Sequence, residues 1–405
     1  MKLFTSCLLA AVALAAPQDE LMGQLPDAPA FPTNTYSGYL NVSDTKSLHY
    51  VFAESQSDPT TDPIIIWFNG GPGCSSMLAF MQEMGPIEID DGETYLSANK
   101  NPWIRRANVI WLESPAGVGW SIAGTEADLS TNDMIQSEDA LAALKSWYGK
   151  FPEYSTNPLY VSGESYAGIY VPYLAWQIYQ NNLQADFKPD ISSIPLAGIM
   201  VGNGATDWTY DVWPSFAATV ANMNIIPFSL LDELEANNCV VYFHNVRPST
   251  DTPECKRLGL KLNKLTEDLN WYDLYRQNYD LSPLNGEERF GTTVIGGEER
   301  RYKRGYTPKE YTPFATDLFG SDSKFGDVVL GDFVTFYMNK QETRDAFNIP
   351  DSVQVYEQCS STLDYHVQDE ASLWIYPILR NKYKLMFYSG DTDGAIPTYG
   401  TKQWI

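Results

Sequence analysis

The sequence predicts an α/β protein with a mostly parallel central sheet, helices on both faces and an inserted lid. Three observations carry that expectation. Short, nearly continuous apolar runs recur along the chain, as in the strands of a sheet covered on both sides. Each run ends in a loop and most are followed by a helical pattern, the alternation that yields parallel strands with ligand loops at their carboxyl ends. One of these junctions, residues 158–168 (PLYVSGESYAG), sets Ser165 on a sharp strand-to-helix turn, the context of a nucleophile elbow.

The elements follow in order. After a proline-rich lead-in ending near Pro32, residues 48–53 and 63–68 read as strands, the second containing Ile64-Ile65-Ile66-Trp67-Phe68. It ends in Asn69-Gly70-Gly71-Pro72-Gly73-Cys74-Ser75-Ser76, too rich in glycine for helix or strand. A backbone so bare can turn its N–H groups toward a ligand, as an oxyanion hole requires. Residues 77–84 read as a helix ended by Gly85-Pro86, and residues 107–112 as a third strand followed by the loop 113–120. Thr131 or Asn132 caps the next helix, whose apolar positions Met134, Ala140, Leu141, Leu144, Trp147 and Tyr148 fall largely on one face, and Gly149 stops it. The elbow strand and its helix come next, then a fifth strand over 196–201 ending in Gly202-Asn203-Gly204. At the elbow the usual G-x-S-x-G pattern carries Ala167 in last place, with Gly168 directly after it.

From about Trp208 to Gly331 the alternation breaks down into sequence rich in tyrosine and aspartate, with short helical pieces and a charged run, Glu298-Glu299-Arg300-Arg301. This segment reads as an insertion with little core of its own, of the kind that roofs an active site. The core is therefore expected in two parts, 16–207 and 332–405. Sheet logic resumes with a helix over 369–380 and a strand over 384–388. That strand ends in Ser389-Gly390-Asp391-Thr392-Asp393-Gly394, where either acid can project over the sheet.

The 405 residues hold 27 basic and 51 acidic side chains, a net charge of −24, with the acids spread along the chain. Such a balance argues against nucleic acid as a partner, and its self-repulsion relaxes as pH falls. Residues 1–15 read as a secretory signal peptide, with Lys2 ahead of a mostly apolar run and Ala13 and Ala15 fitting a cleavage site. No other apolar run approaches the length of a membrane span. Without Cys7, four cysteines (Cys74, Cys239, Cys255 and Cys359) travel an oxidising route, enough for two disulfides. Asn41-Val42-Ser43 is a sequon that makes Asn41 a glycan acceptor on that route. The sequence shows no metal-ligand cluster and no nucleotide loop, so it implies no cofactor.

Together, WFNGGPGCSS, NVIWLESPAGVGWS, VSGESYAG, GIMVGNGATD and MFYSGDTDG resemble, in the same order, the motifs of the serine carboxypeptidase family of the α/β-hydrolase fold. The likeness runs from about Tyr36 to Ile405 and is weakest in the insertion. It implies an enzyme of the secretory pathway, secreted or lysosomal/vacuolar, that removes C-terminal residues from peptides and proteins through an acyl-enzyme at acidic pH. It implies Ser165 as nucleophile, Asp393 rather than Asp391 as the triad acid, and the N–H groups of Gly71 and Tyr166 as the oxyanion hole. The resemblance assigns the substrate's free carboxylate to Asn69, Gly70 and Glu164, with Glu83 partnering Glu164 and Trp67 packing nearby. Two carboxyls held close cannot both ionise easily, so one keeps a proton and can donate to the substrate. The disulfides implied are Cys74 with Cys359 and Cys239 with Cys255.

On this fold the triad runs serine, acid, histidine, whereas His49, His244 and His366 all precede Asp393. The expectation is a sequence that lacks the C-terminal portion bearing the family's histidine. Two other readings use the same scaffold, a catalytically inactive peptide-binding relative and an acyltransferase. Asn69, Glu83 and Glu164 favour peptide-carboxylate recognition over the acyltransferase.

Overall fold

The computed structural model describes residues 16–89, 96–188, 192–240, 252–267, 269–277, 290–303 and 332–405. The signal peptide expected over 1–15 lies outside the described residues, as do His244 and much of the insertion's second half. Seven strands make the body of the central sheet: β1 (Thr35–Asn41), β2 (Lys46–Ala53), β3 (Ile64–Phe68), β4 (Asn108–Leu112), β5 (Leu159–Glu164), β6 (Leu196–Gly202) and β7 (Lys384–Tyr388). Their spatial order is β1-β2-β4-β3-β5-β6-β7. The first two junctions are antiparallel and the remaining four parallel. The expected mostly parallel α/β architecture is therefore present. β1 went unread in the sequence because Ser37 and Gly38 interrupt its apolar run, although six of its seven residues are buried or nearly so.

Burial explains the runs. Every residue of β3 and β4 is buried, because each face of the sheet carries its own apolar layer. On one face α1 (Asp133–Lys150) and α2 (Ala167–Ala185) pack Leu144, Trp147, Ile169 and Leu174 against Phe52, Ile66 and Val161. On the other, Met77, Phe80 and Met81 join Tyr337, Phe347 and Tyr356 over Ile65, Trp67 and Trp111.

Several local expectations are corrected. The segment 77–84 is helical, but its main part is a π-turn, Ala79–Glu83, in which the Met84 N–H reaches the Ala79 carbonyl at 3.0 Å. Widening the helix in this way re-aims its last side chain, Glu83, and π-turns recur at functional sites for that reason. Asn132, not Thr131, caps α1, its side chain accepting from the Ile135 N–H at 2.9 Å. Gly149 does not stop that helix; it runs on to Lys150, and Pro152 ends it by excluding helical geometry before it. The helix expected over 369–380 shrinks to a 3₁₀ turn, Leu373–Ile375, and one α-turn, Tyr376–Leu379. In α2, Pro172 removes an N–H and frees the Gly168 carbonyl, which the Ser372 hydroxyl satisfies at 2.7 Å.

Within the insertion, three helices, α3 (Trp213–Asn222), α4 (Phe228–Ala236) and α5 (Pro253–Thr266), enclose a small apolar core of their own around Phe216, Leu230, Leu234, Leu258 and Leu262. The expectation of little core is thus overturned. Two separate two-stranded pairings, Leu269–Asn270 with Asp273–Gln277 and Phe290–Ile295 with Glu298–Lys303, stand off the central sheet. Both disulfides form as the resemblance implied, Cys74 with Cys359 and Cys239 with Cys255. The second closes a loop of 16 residues at the edge of the insertion's core. Loop-closure entropy assigns such a bridge about 3 kcal/mol, so the double substitution Cys239→Ser with Cys255→Ser is expected to lower the denaturant midpoint by a corresponding amount. An unchanged midpoint would show that the insertion's helices hold without the bridge.

Candidate active site

The carboxyl ends of β3, β5, β6 and β7 carry the residues that the sequence singled out. At the end of β5 the backbone turns sharply, leaving Ser165 at a φ of 59°, a conformation that side chains rarely adopt and that here lifts the hydroxyl off the sheet. The turn is pinned on both sides. The Ser165 N–H donates to the Gly202 carbonyl at 3.1 Å, and its own carbonyl accepts from Gly168 N at 2.9 Å and Ala205 N at 3.0 Å. Ala167, the departure from the usual elbow pattern, is buried, its methyl 2.7 Å from where a side chain on Gly163 would begin. Glycine at 163 therefore makes room for alanine at 167.

The loop after β3 lies directly against this elbow. A Cβ on Gly70 would fall 2.4 Å from the Tyr166 nitrogen and 2.8 Å from both the Glu164 carbonyl and the Ser165 Cβ, so only glycine permits the approach. Next to it Gly71 turns the chain at a φ of 113°. The N–H groups of Gly71 and Tyr166 donate to no acceptor among the described residues, which leaves both available beside the Ser165 side chain. The loop is anchored from behind. Ser76 Oγ accepts from Asn69 N at 3.2 Å and donates to the Leu112 carbonyl at 2.7 Å. Cys74 is bonded to Cys359, and Ser75 N donates to the Gln358 carbonyl at 2.7 Å.

Asn69 gathers the carboxyl pair. Trp67 Nε1 donates to Asn69 Oδ1 at 2.8 Å and so fixes which end of the amide faces the site. The Asn69 Nδ2 then donates to Glu164 Oε1 at 2.8 Å and to Glu83 Oε1 at 3.3 Å, and the two glutamates share a hydrogen bond with each other. Glu83 is exposed and Glu164 half-buried, yet protein surrounds both closely, so the pair sits at a solvent-open recess. Burial, and next the negative charge of Glu83, hold Glu164 well above the carboxylate range; burial also raises Glu83, against the Asn69 and Glu164 hydrogen bonds. The solvent at the recess weakens the burial contribution but not the contact between two carboxyls, and the direction stands. The pair therefore holds a proton into the neutral range.

Asp393 has a different environment. It accepts from Ala395 N at 2.8 Å, Ile396 N at 3.1 Å and Asn203 Nδ2 at 3.0 Å. Burial raises its pKa and these three donors oppose the rise. Asp391, two residues earlier, is exposed, whereas Asp393 is the acid that its loop holds in place. Asn203 is the residue sequence reasoning missed. Its amide also reaches Ser389 Oγ, Gly390 O and Ile396 O and accepts from Gly390 N, binding the acid's loop to the end of β6. Its place at a strand end between two glycines was the available signal. Asp133 is a second omission. Buried at the first turn of α1, it accepts from the hydroxyls of Tyr166 (2.9 Å) and Tyr365 (2.6 Å) and anchors the ring of the residue that follows Ser165.

Neither described histidine belongs to this site. His49 is buried, its Nδ1 2.8 Å from Glu113 and its Nε2 2.9 Å from Ser37 Oγ. His366 lies exposed beside Asp364 and Ser130.

A serine on a strained strand-to-helix turn, a glycine-rich loop packed against it and an acid on the loop after β7 are arranged as in an α/β-hydrolase. The family profile described as "Serine carboxypeptidase" matches residues 26–405, and the chain belongs to the serine carboxypeptidase family. Among its relatives, serine carboxypeptidase-like 20 of Arabidopsis thaliana is 30% identical over 416 residues, covering 96% of this chain and 82% of that protein. The lysosomal protective protein of Mus musculus is 31% identical over 399 residues, covering 96% and 81%. In three dimensions the chain superposes on Kex1(delta)p, a prohormone-processing carboxypeptidase of Saccharomyces cerevisiae, with a TM-score of 0.66 at 19% identity, over 96% of this chain and 80% of that one. That likeness shows the fold. The function is that of a serine-type carboxypeptidase, and the inactive and acyltransferase readings are not favoured.

The close approach at Gly70 can be tested directly. Gly70→Ala is expected to push the loop off the elbow and lower kcat/KM by about 10²–10³-fold, the usual cost of losing an oxyanion-hole donor, with an unchanged circular dichroism spectrum. Retention of full activity would mean that the loop does not need to touch the elbow.

Proposed function

We propose that Ser165 carries the acyl group in the removal of C-terminal residues from peptides, and that Asn69, Gly70, Glu83 and Glu164 recognise the substrate by its free carboxylate. One observation carries this reading: two glutamates share one asparagine amide a single residue from the elbow serine. A carboxyl pair that shares a proton beside a nucleophile can donate a hydrogen bond to an anionic ligand, which two ionised carboxylates could not. Trp67 orients the amide and Gly70 supplies the adjacent backbone.

In the reaction, Ser165 Oγ attacks the last peptide carbonyl, and the oxyanion that forms is held by the N–H groups of Gly71 and Tyr166. Collapse expels the C-terminal amino acid and leaves an ester on Ser165, which water hydrolyses. The resemblance assigns proton transfer to an imidazole held by Asp393. His49 and His366 are engaged elsewhere, and the three donors on Asp393 fix the orientation of its carboxyl.

The sign of the pH dependence follows from the raised pair. Below its shifted pKa the pair is protonated and can donate to the substrate carboxylate; as pH rises through neutrality the proton leaves and two like charges face the ligand. KM for an N-blocked dipeptide is therefore expected to rise with pH through the neutral range. Glu164→Gln, whose amide donates at every pH, is expected to flatten that rise. Ser165→Ala is expected to abolish hydrolysis and fluorophosphonate labelling together. A KM that stays level from acidic to alkaline pH, or hydrolysis that survives the serine substitution, would overturn the reading.

The insertion, 208–331, is proposed as a lid over this recess: Leu274 N donates to the Thr392 carbonyl at 2.8 Å and Gly394 N to the Trp271 carbonyl at 2.7 Å, on either side of Asp393. An acidic secretory compartment, lysosomal or vacuolar, fits the protonated pair, the two disulfides and the acidic composition. Among the described residues no helix is long and apolar enough to cross a membrane. On that route Asn41, exposed at the end of β1, is expected to carry a glycan. Treatment of the protein secreted from a eukaryotic host with an amide-cleaving glycosidase should lower its mass, and Asn41→Gln should remove the shift.

A further inference from the structure

Three strands end side by side at the recess, and the middle one ends in Gly202. That glycine is in register with Glu164 on β5 and with Tyr388 on β7. In-register residues of parallel strands project from the same face, so Glu164 and Tyr388 stand on one side of the sheet with a gap between them where Gly202 has no side chain. The Tyr388 ring leans into the gap. A Cβ on Gly202 would lie 2.4 Å from its Cε2, 2.5 Å from its Cζ and 2.7 Å from its hydroxyl oxygen. The phenol tip has thus left its own strand and stands over β6. The next strand, about 4.8 Å further on, is β5 with Glu164 at its end.

Four residues earlier the same sheet shows such a crossing completed. Gly198 is in register with Tyr160 and Lys384, and over this second glycine Lys384 Nζ comes within 3.5 Å of the Tyr160 hydroxyl. At Gly202 the equivalent meeting is left open. The Tyr388 hydroxyl makes no hydrogen bond among the described residues, and the side chain remains 37% exposed at the recess.

We propose that Tyr388 is a further substrate-binding residue, its hydroxyl donating to the C-terminal carboxylate of the peptide alongside Glu164 and Asn69. The proposal rests on the carboxylate-site reading above and adds a donor that does not depend on the shared proton. Burial, and then the negative charges of Glu164 and Glu83, push the phenol above its ordinary range. It therefore keeps its proton at every pH at which the enzyme works. A purely structural role for Tyr388 would need only the ring, which fills the space above Gly202.

The test uses the full chain carrying Ser165→Ala, so that binding is measured without turnover, and compares an N-blocked dipeptide bearing a free carboxylate with the same dipeptide as its C-terminal amide. Tyr388→Phe keeps the ring and removes the hydroxyl. It is expected to weaken binding of the acid about tenfold, the usual scale for a hydrogen bond to a charged group, and to leave the amide unchanged. Gly202→Ala, whose methyl would displace the phenol, is expected to cause the same selective loss. Undiminished binding of the acid by Tyr388→Phe, or equal weakening of acid and amide, overturns the proposal. Asn69→Ala separates the two levels. If it lowers the preference for the acid while Tyr388→Phe does not, only the tyrosine assignment fails; if it leaves the preference intact, the carboxylate site itself fails and the tyrosine assignment with it.

Discussion

The site depends on one close approach, the main chain of Asn69-Gly70-Gly71 lying against the elbow at Glu164-Ser165-Tyr166. At 2.4 Å from the Tyr166 nitrogen to the place of a Gly70 side chain, the contact excludes every residue except glycine. Two consequences follow from it. The glycine loop's main chain comes against the Tyr166 nitrogen and the Ser165 side chain. The Asn69 amide, one residue away, comes within reach of Glu164. A shift of an ångström in this loop would undo both, because hydrogen bonds weaken steeply outside their narrow range of length and angle.

Much of the surrounding structure serves to hold that loop. Behind it, Ser75 donates to Glu113, a fully buried carboxylate that also accepts from Trp120 N at 2.9 Å and meets His49 Nδ1 at 2.8 Å. His49 continues to Ser37, whose hydroxyl donates to the Phe347 carbonyl at 2.6 Å. This chain of groups joins β1, β2, the end of β4, the loop after β3 and the segment near 347 through a single buried carboxylate. A buried charge deprived of one partner is costly, by several kcal/mol, so each link constrains its neighbours. On the open side the Cys74–Cys359 bridge closes the same loop onto a segment 285 residues away in sequence.

Three carboxyls at the site show how environment divides the work of one chemical group. Asp393 meets three separate donors that oppose the rise burial imposes on it and fix its position on its loop. Glu83 and Glu164 meet chiefly one another and one amide, and are set up to share a proton. No difference in residue type predicts this; the supply of N–H donors at each position does. Asp393 lies on an irregular loop, where backbone N–H groups are not used by sheet or helix. Glu164 ends a strand whose N–H groups are spent in the ladder, and Glu83 ends a helical turn.

Most of the order of strands and helices, the elbow and the glycine-rich loop were legible in the sequence, because each rests on local chemistry; β1 was not, and the pairing of the cysteines came from the family resemblance, since Cys74 and Cys359 lie 285 residues apart. A continuous apolar run suits a doubly covered strand, a small-residue turn permits a strained serine, and glycine permits contact between main chains. Where local signals competed the reading failed: Gly149 looked like a helix stop but lies inside α1, and residues 369–380 carry a helical pattern that the fold uses only as two short turns. The roles of Asn203, Asp133 and Glu113 were not legible at all, since a buried polar side chain is defined by partners that lie far off in sequence. The same holds for Tyr388 beside Gly202, which becomes a feature of the site only when β5, β6 and β7 align in register. The sequence by itself determined which groups could do chemistry. Tertiary structure decided which donors each carboxyl meets and which side chains reach the recess, because those properties depend on distances between strands that no local pattern encodes.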